Sequence, residues 1–237
     1  MIVINGRVFT GKNISIINGQ VIQGSESPGE NHSYDETKRE DSSKIDRILI
    51  TTGTVPITIS RSSSSEIVAR MYGEAKHNGT VDFDVTTVNR DLKINLNISA
   101  TSYVGTLRLE VNLPEKIFHV ISVETETGNL TLKKDVFSES LQVETQTGNI
   151  NCETSISDVS IITQTGNVNF TVEAIEDLNV YINTQTGKIT TTFRNICGLE
   201  LRAKSTSGRV RKHYTPSIVG YYATARLYSQ TGNITIQ

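Results

Sequence analysis

The chain of 237 residues carries 23 Lys and Arg against 25 Asp and Glu, so wholesale attraction to a nucleic-acid backbone is not expected. Hydrophobic residues make up 36% and charged residues 20%; the balance is rich in Thr, Ser, Asn and Gly, which suits short strands and turns and disfavours a helical bundle. The longest apolar runs fall far short of the roughly 20 residues needed to cross a bilayer, and no membrane partner is expected.

The opening MIVINGRVFT has neither a basic region nor a continuous apolar stretch with a cleavage site. No export signal is therefore read, and a cytoplasmic location is the expectation. VINGRVF and SIINGQVIQ each place Asn-Gly between apolar runs, the strongest short-range hairpin signal, so residues 1–23 are expected as a β-hairpin element that caps or assembles. Residues 24–44, GSESPGENHSYDETKREDSSK, show no apolar periodicity and hold six acids against three bases. They read as a flexible acidic linker. The body is expected over 45–237.

That body is organised by a repeat. ISVETETGNLTL from Ile121 recurs from Leu141, Val159, Val180, Leu201 and Ala225, placing Gly128, Gly148, Gly166, Gly187, Gly208 and Gly232 in one frame. Looser copies surround Gly53, Gly79 and Gly105. Before the glycine the period is two: Ile121, Val123, Thr125 and Thr127 share a face, and Ser122, Glu124 and Glu126 the other. After the glycine the apolar phase resumes at Leu130 and Leu132, so each glycine marks a tight corner, explained by positive φ. One corner in about 21 residues is too sparse for a hairpin array. The expected fold is all-β, a parallel β-solenoid (β-helix) of about nine coils with like residues stacked in ladders; a β-sandwich or prism is the alternative. Arg61 and the serines that follow it read as a loop. The chain stops shortly after the Gly232 corner, which leaves an open edge, and a homo-oligomer is expected on that ground.

Candidate chemistry is sparse. Cys152 and Cys197 lack C-x-x-C spacing and read as free, buried thiols. The four histidines have no ligand-spaced neighbours, so neither a metal site nor a cofactor is expected. Glu124 and Glu126 share an outward face and read as solvated, so no catalytic residue is assigned. The outward row Gln146, Gln164, Gln185 and Gln230 reads as a stacking ladder. One segment is less bland. In LELRAKSTSGRVRKHY, Arg202, Lys204, Arg209, Arg211 and Lys212 face the single acid Glu200. With His213 and Tyr214, and Tyr221 and Tyr222 nearby, they form the candidate binding site for an acidic protein, an anionic ligand or another protomer; an ordinary charged surface beside packed tyrosines is the competing reading.

The recurring T-x-T-G-N-[ILV] unit resembles the bacterial putative-adhesin family, and NISIINGQVI resembles the start of stand-alone intracellular or phage-encoded members. The resemblance covers roughly 45–237. It implies a β-repeat solenoid domain of unknown function and offers no catalytic residues. The leading reading is a non-enzymatic protein-binding or scaffolding protein that self-associates and contacts an unidentified protein partner. The alternatives are a phage-encoded inhibitor or sequestering protein, an end-to-end polymer similar to bactofilins, and a polysaccharide-cleaving β-helix enzyme.

Overall fold

In the computed structural model the described residues are 2–4, 7–9, 14–17, 20–23, 30–100 and 103–237, with side chains from residue 31 onward. Strand β1 (Ile2–Ile4) pairs antiparallel with β2 (Arg7–Phe9), and β3 (Ile14–Ile17) with β4 (Gln20–Gln23). Then β5 (Glu30–Asp41) runs into a 3-10 turn at Ser42–Lys44, β6 (Arg47–Thr52), β7 (Ile57–Arg61), β8 (Glu66–His77), β9 (Thr80–Val88), β10 (Asp91–Ser99), β11 (Tyr103–Gly105) and β12 (Arg108–Leu113).

From there the chain repeats one unit, a longer strand, a corner and a shorter strand. The units are β13 (Ile117–Thr127) with β14 (Leu130–Leu132), β15 (Phe137–Thr147) with β16 (Ile150–Thr154), β17 (Asp158–Thr165) with β18 (Val168–Glu173), and β19 (Leu178–Thr186) with β20 (Ile189–Arg194). They continue as β21 (Ile196–Ser205) with β22 (Val210–Lys212), and β23 (Tyr221–Thr231) with β24 (Ile234–Ile236).

Two sheets result. Sheet 1 has nine strands in the order β21-β23-β19-β17-β15-β13-β6-β10-β9; sheet 2 has eleven, β11-β8-β12-β7-β14-β16-β18-β20-β24-β22 with β5 on β8. Each rung places its longer strand in sheet 1 and its shorter one in sheet 2, and neighbouring rungs pair parallel and in register, as in Val123↔Val143, Val143↔Ile161 and Ile161↔Ile182. The inward alternation buries Ile121, Val123 and Thr125, and stops there: Thr127 is exposed, because the corner has begun.

The corner explains the glycines. A Cβ on Gly148 would lie 2.1 Å from the Gly128 carbonyl oxygen, and one on Gly166 or Gly187 1.9 Å from the carbonyl of the glycine on the preceding rung. The close approach of stacked backbones therefore excludes side chains. Positive φ, the reason expected from the sequence, applies at Gly166 (φ 159°), Gly187 (φ 157°) and Gly232 (φ 145°) but not at Gly128, Gly148 or Gly208. On several rungs the inward hydroxyl then binds a corner carbonyl of the neighbouring rung: Thr125 Oγ1 donates to Gly53 O at 3.1 Å, Ser229 Oγ to Gly187 O at 3.1 Å and Ser205 Oγ to Gly232 O at 2.7 Å, whereas Thr145 Oγ1 and Thr163 Oγ1 in the same frame find no partner among the described residues. Outside the corner, Asn129 Oδ1 accepts from the Asn149 N–H at 2.8 Å, and Asn149 Oδ1 from the Asn167 N–H at 3.0 Å.

Three expectations are corrected. The stretch 24–44 is not a linker from Glu30 onward, since β5 pairs with β8 along its whole length. Its inward positions are His32, Tyr34 and Lys38, whose apolar bodies a count of hydrophobic residues misses; Lys38 Nζ lies 5.1 Å from the Phe83 ring centre. The number of parallel rungs is eight among the described residues, not nine, because the Gly79 copy forms the turn between β8 and β9 and antiparallel β9 closes sheet 1. The order is not sequential either. The rung 91–113 lies outside 45–61, and 221–236 is inserted between 178–194 and 196–212. The open edge therefore belongs to 196–212, not to the last copy. At its corner the Arg209 N–H donates to Asn233 Oδ1 at 2.9 Å, and, as at Lys188, the side chain after the glycine offers no acceptor of its own.

Candidate functional site

The two ends of the stack differ. At one end the antiparallel strands β9, β8 and β5 cover the 91–113 rung, and we call this the closed end. At the other, β21 and β22 have no further partner among the described residues. The sequence-predicted basic residues all belong to this open end.

Arg202 and Lys204 project from the outer face of β21, where pairing sets them beside Arg226 and Tyr228 of β23. Arg209, Arg211 and Lys212 follow the Gly208 corner, and all five cations are exposed. Their one ionic partner among the described residues is Glu200, 3.4 Å from Arg202, a contact between two well-solvated side chains that contributes little energy. On the inward side Leu199, Leu201, Ala203 and Val210 are only half-buried, because no next rung covers them. A basic rim thus surrounds incompletely covered apolar side chains and two unpaired strand edges.

His213 is exposed, its N–H donating to Ile236 O at 2.8 Å. Tyr214 is not part of the free surface expected for it. Its hydroxyl donates to Ile196 O at 2.7 Å, its ring packs edge-on against Phe193 at 6.5 Å, and desolvation pushes its pKa up. It is a packing residue. The loop that follows carries Ile218 fully and Val219 largely in solvent, and Tyr222 exposed, its N–H donating to Asp177 Oδ1 at 3.0 Å. Of the cysteines, Cys152 is buried and its thiol is pushed up to about 12 by desolvation. Cys197 is only half-buried, its Sγ donating to Gly220 O at 3.3 Å.

Sequence reasoning missed Arg226, Tyr228 and Tyr181. Tyr181 and Tyr228 lie with ring centres 6.1 Å apart on the outer face of sheet 1. Aligning the repeat copies supplies the signal, since Tyr181, Arg226 and Arg202 occupy one frame position; seeing them as neighbours required the order of the rungs. Glu124 and Glu126 are exposed and line a groove of about 610 Å³ with Asn95, Asn97 and Gln146. Among the described residues no three His, Cys, Asp or Glu side chains converge as metal ligands do, and no helix is long and apolar enough to cross a membrane.

The family model described as Toastrack DUF4097 matches residues 45–236. The chain belongs to the Toastrack DUF4097 family. A solved structure of a putative cell adhesion protein from Clostridium sporogenes is similar in fold to this Toastrack chain: 14% identity, 86% of this chain and 99% of that one, TM-score 0.55. A putative adhesin from Bacteroides fragilis covers 86% of this chain and 97% of its own at 12% identity, with a TM-score of 0.38. No curated protein matches the Toastrack chain.

Proposed function

We propose that this Toastrack protein is a non-enzymatic protein-binding module, a solenoid-like stack whose open end takes up an extended acidic segment of another protein along β21. The observation that carries the reading is the combination at one edge of unpaired backbone groups, half-buried Leu199, Leu201 and Val210, and an exposed rim of Arg202, Lys204, Arg209, Arg211 and Lys212. An added strand supplies main-chain hydrogen bonds, covers the apolar side chains and meets the cations with its acids. The solved structure from Clostridium sporogenes, similar in fold and described as a putative cell adhesion protein, agrees with a binding role.

The test is fluorescence anisotropy with a labelled peptide of alternating Glu and Val, against the same design with Lys in place of Glu. The acidic peptide is expected to bind at least tenfold more tightly, to weaken with salt, and to lose binding in the variant Arg202→Glu/Lys204→Glu/Arg211→Glu. Equal binding of both peptides, or unchanged binding by the variant, removes the open end as the site.

A further inference from the structure

The partly buried apolar side chains packed on the core all sit at its two ends, among them Val81, Val85 and Tyr103 at the closed end and Leu199, Leu201 and Val210 at the open end. Between them the core is fully covered. Each end therefore leaves apolar surface that one more layer of strands would bury.

Charge is divided along the same axis. The rung 196–212 with its flanks carries Arg202, Lys204, Arg209, Arg211 and Lys212 against Glu200, a net +4, whereas the whole chain carries −2; the remainder is thus at −6. At the far end β9 bears exposed Asp82 and Asp84 and no Lys or Arg. In sheet 2, β5 projects one strand beyond β8 and carries Asp35, Glu36, Glu40 and Asp41 against Lys38 and Arg39.

These facts choose between two ways of covering the open end with a second copy. An isologous contact, open end to open end, brings +4 against +4, and like charges facing each other are destabilising. A heterologous contact, open end to closed end, brings the basic rim against the acidic outer strands and buries the half-covered apolar side chains of both. Resting on the reading of the open end as a binding surface, we propose that its partner is the closed end of a second copy of this chain. β5, which projects furthest, meets β22 first and brings its four acids to the edge that carries Arg209, Arg211 and Lys212. Such a contact leaves a free open end and a free closed end at every step, so copies add head to tail.

The experiment uses the full chain and light scattering after size exclusion. The wild type is expected to gain mass with concentration and lose it with salt. An open-end variant, Arg202→Glu/Lys204→Glu/Arg211→Glu, and a closed-end variant, Glu36→Lys/Asp84→Lys, are each expected to remain monomeric, since all five positions are exposed and folding is checked by the melting curve. Mixed together, they retain one intact open end and one intact closed end between them, and are expected to give a 1:1 dimer that grows no further. A wild type that stays monomeric at every concentration, or an open-end variant that still assembles alone, overturns the proposal. Binding of the acidic peptide by a monomeric wild type would then leave the open end as a binding site with the wrong partner assigned, whereas failure of both would remove the site itself.

Discussion

Substituting Gly166 by Ala tests why the corners are glycine. Its Cβ would lie 1.9 Å from Gly148 O and 2.7 Å from Gly148 C, about 1.5 Å short of ordinary contact. Both atoms are backbone, so the rungs 137–154 and 158–173 must part. Parting them strains the hydrogen bonds Gly148 N–H to Thr165 O and Ile150 N–H to Asn167 O, both 2.9 Å, worth about 1 kcal/mol each. Forced overpacking adds about 1–3 kcal/mol. A loss of about 3–5 kcal/mol is expected, which for a protein of this size lowers the melting midpoint by roughly 10 °C. Two controls separate the causes. Gly148→Ala, at 2.1 Å from Gly128 O and without positive φ, should fall about as far, because contact rather than φ is responsible. Gly53→Ala, whose Cβ meets nothing within 4 Å, should melt at or slightly above the parent, since it only reduces the freedom of the unfolded chain. Thermal unfolding by circular dichroism reads all three. Equal midpoints for Gly53→Ala and Gly166→Ala would refute the stacked-corner argument.

Other outcomes follow from buried polar groups. Thr163 Oγ1 is buried with no hydrogen-bond partner, so Thr163→Val is expected to be neutral or stabilising by about 1 kcal/mol in urea unfolding; Thr125→Val, which loses the contacts to Thr52 Oγ1 at 3.0 Å and Gly53 O, should destabilise by about 1–2 kcal/mol. With Cys152 buried and its pKa near 12, one thiol is expected to react with a disulfide reagent at pH 8 in the native protein, that of Cys197, and two after denaturation. Asp46 is held below the usual carboxylate range, first by its hydrogen bond from Arg90 and then by the charges of Arg90, Lys116 and His119. A depressed folded-state pKa means that its contribution is present above the ordinary carboxylate value and is lost as pH falls through the lowered one. The melting temperature of Asp46→Asn should therefore approach that of the parent in acid and lie below it near neutral pH.

Much of this architecture was legible because the corner repeats as chemistry. Thr-x-Thr-Gly-Asn gives, in its first Thr, a hydroxyl that can reach the neighbouring corner, then a backbone with no Cβ and an amide that continues outward, and the alternation names Ile121, Val123 and Thr125 as buried correctly but also counts Thr127, which the corner exposes. The basic segment was equally plain, since five cations against Glu200 need no structure to be seen. What escaped was adjacency. Nothing in the pattern of 221–236 says that it lies inside 196–212: Arg209 stands where four of the six copies have Asn, but Lys188 does too, and a further rung stacks on it. β5 escaped for another reason: its inward positions His32, Tyr34 and Lys38 present apolar bodies under polar names. Tyr214 was placed in the binding site because sequence proximity to Arg211 and Lys212 gives no hint of Phe193 beneath it.

The interleaving of 221–236 between 178–194 and 196–212 also constrains the order of events during synthesis. When residue 212 leaves the ribosome, the segment 196–212 has no finished surface of its own to settle on, because the strand it pairs with has not yet been made. It waits as an unpaired, positively charged stretch while Ala225, Leu227 and Ile234 follow, and both then dock together. Stopping synthesis at residue 220 should therefore release a chain whose final segment is digested by protease up to about residue 195, while the preceding rungs resist. The segment 221–236 is thus a keystone, and the rung that carries the basic rim is the one it locks in place.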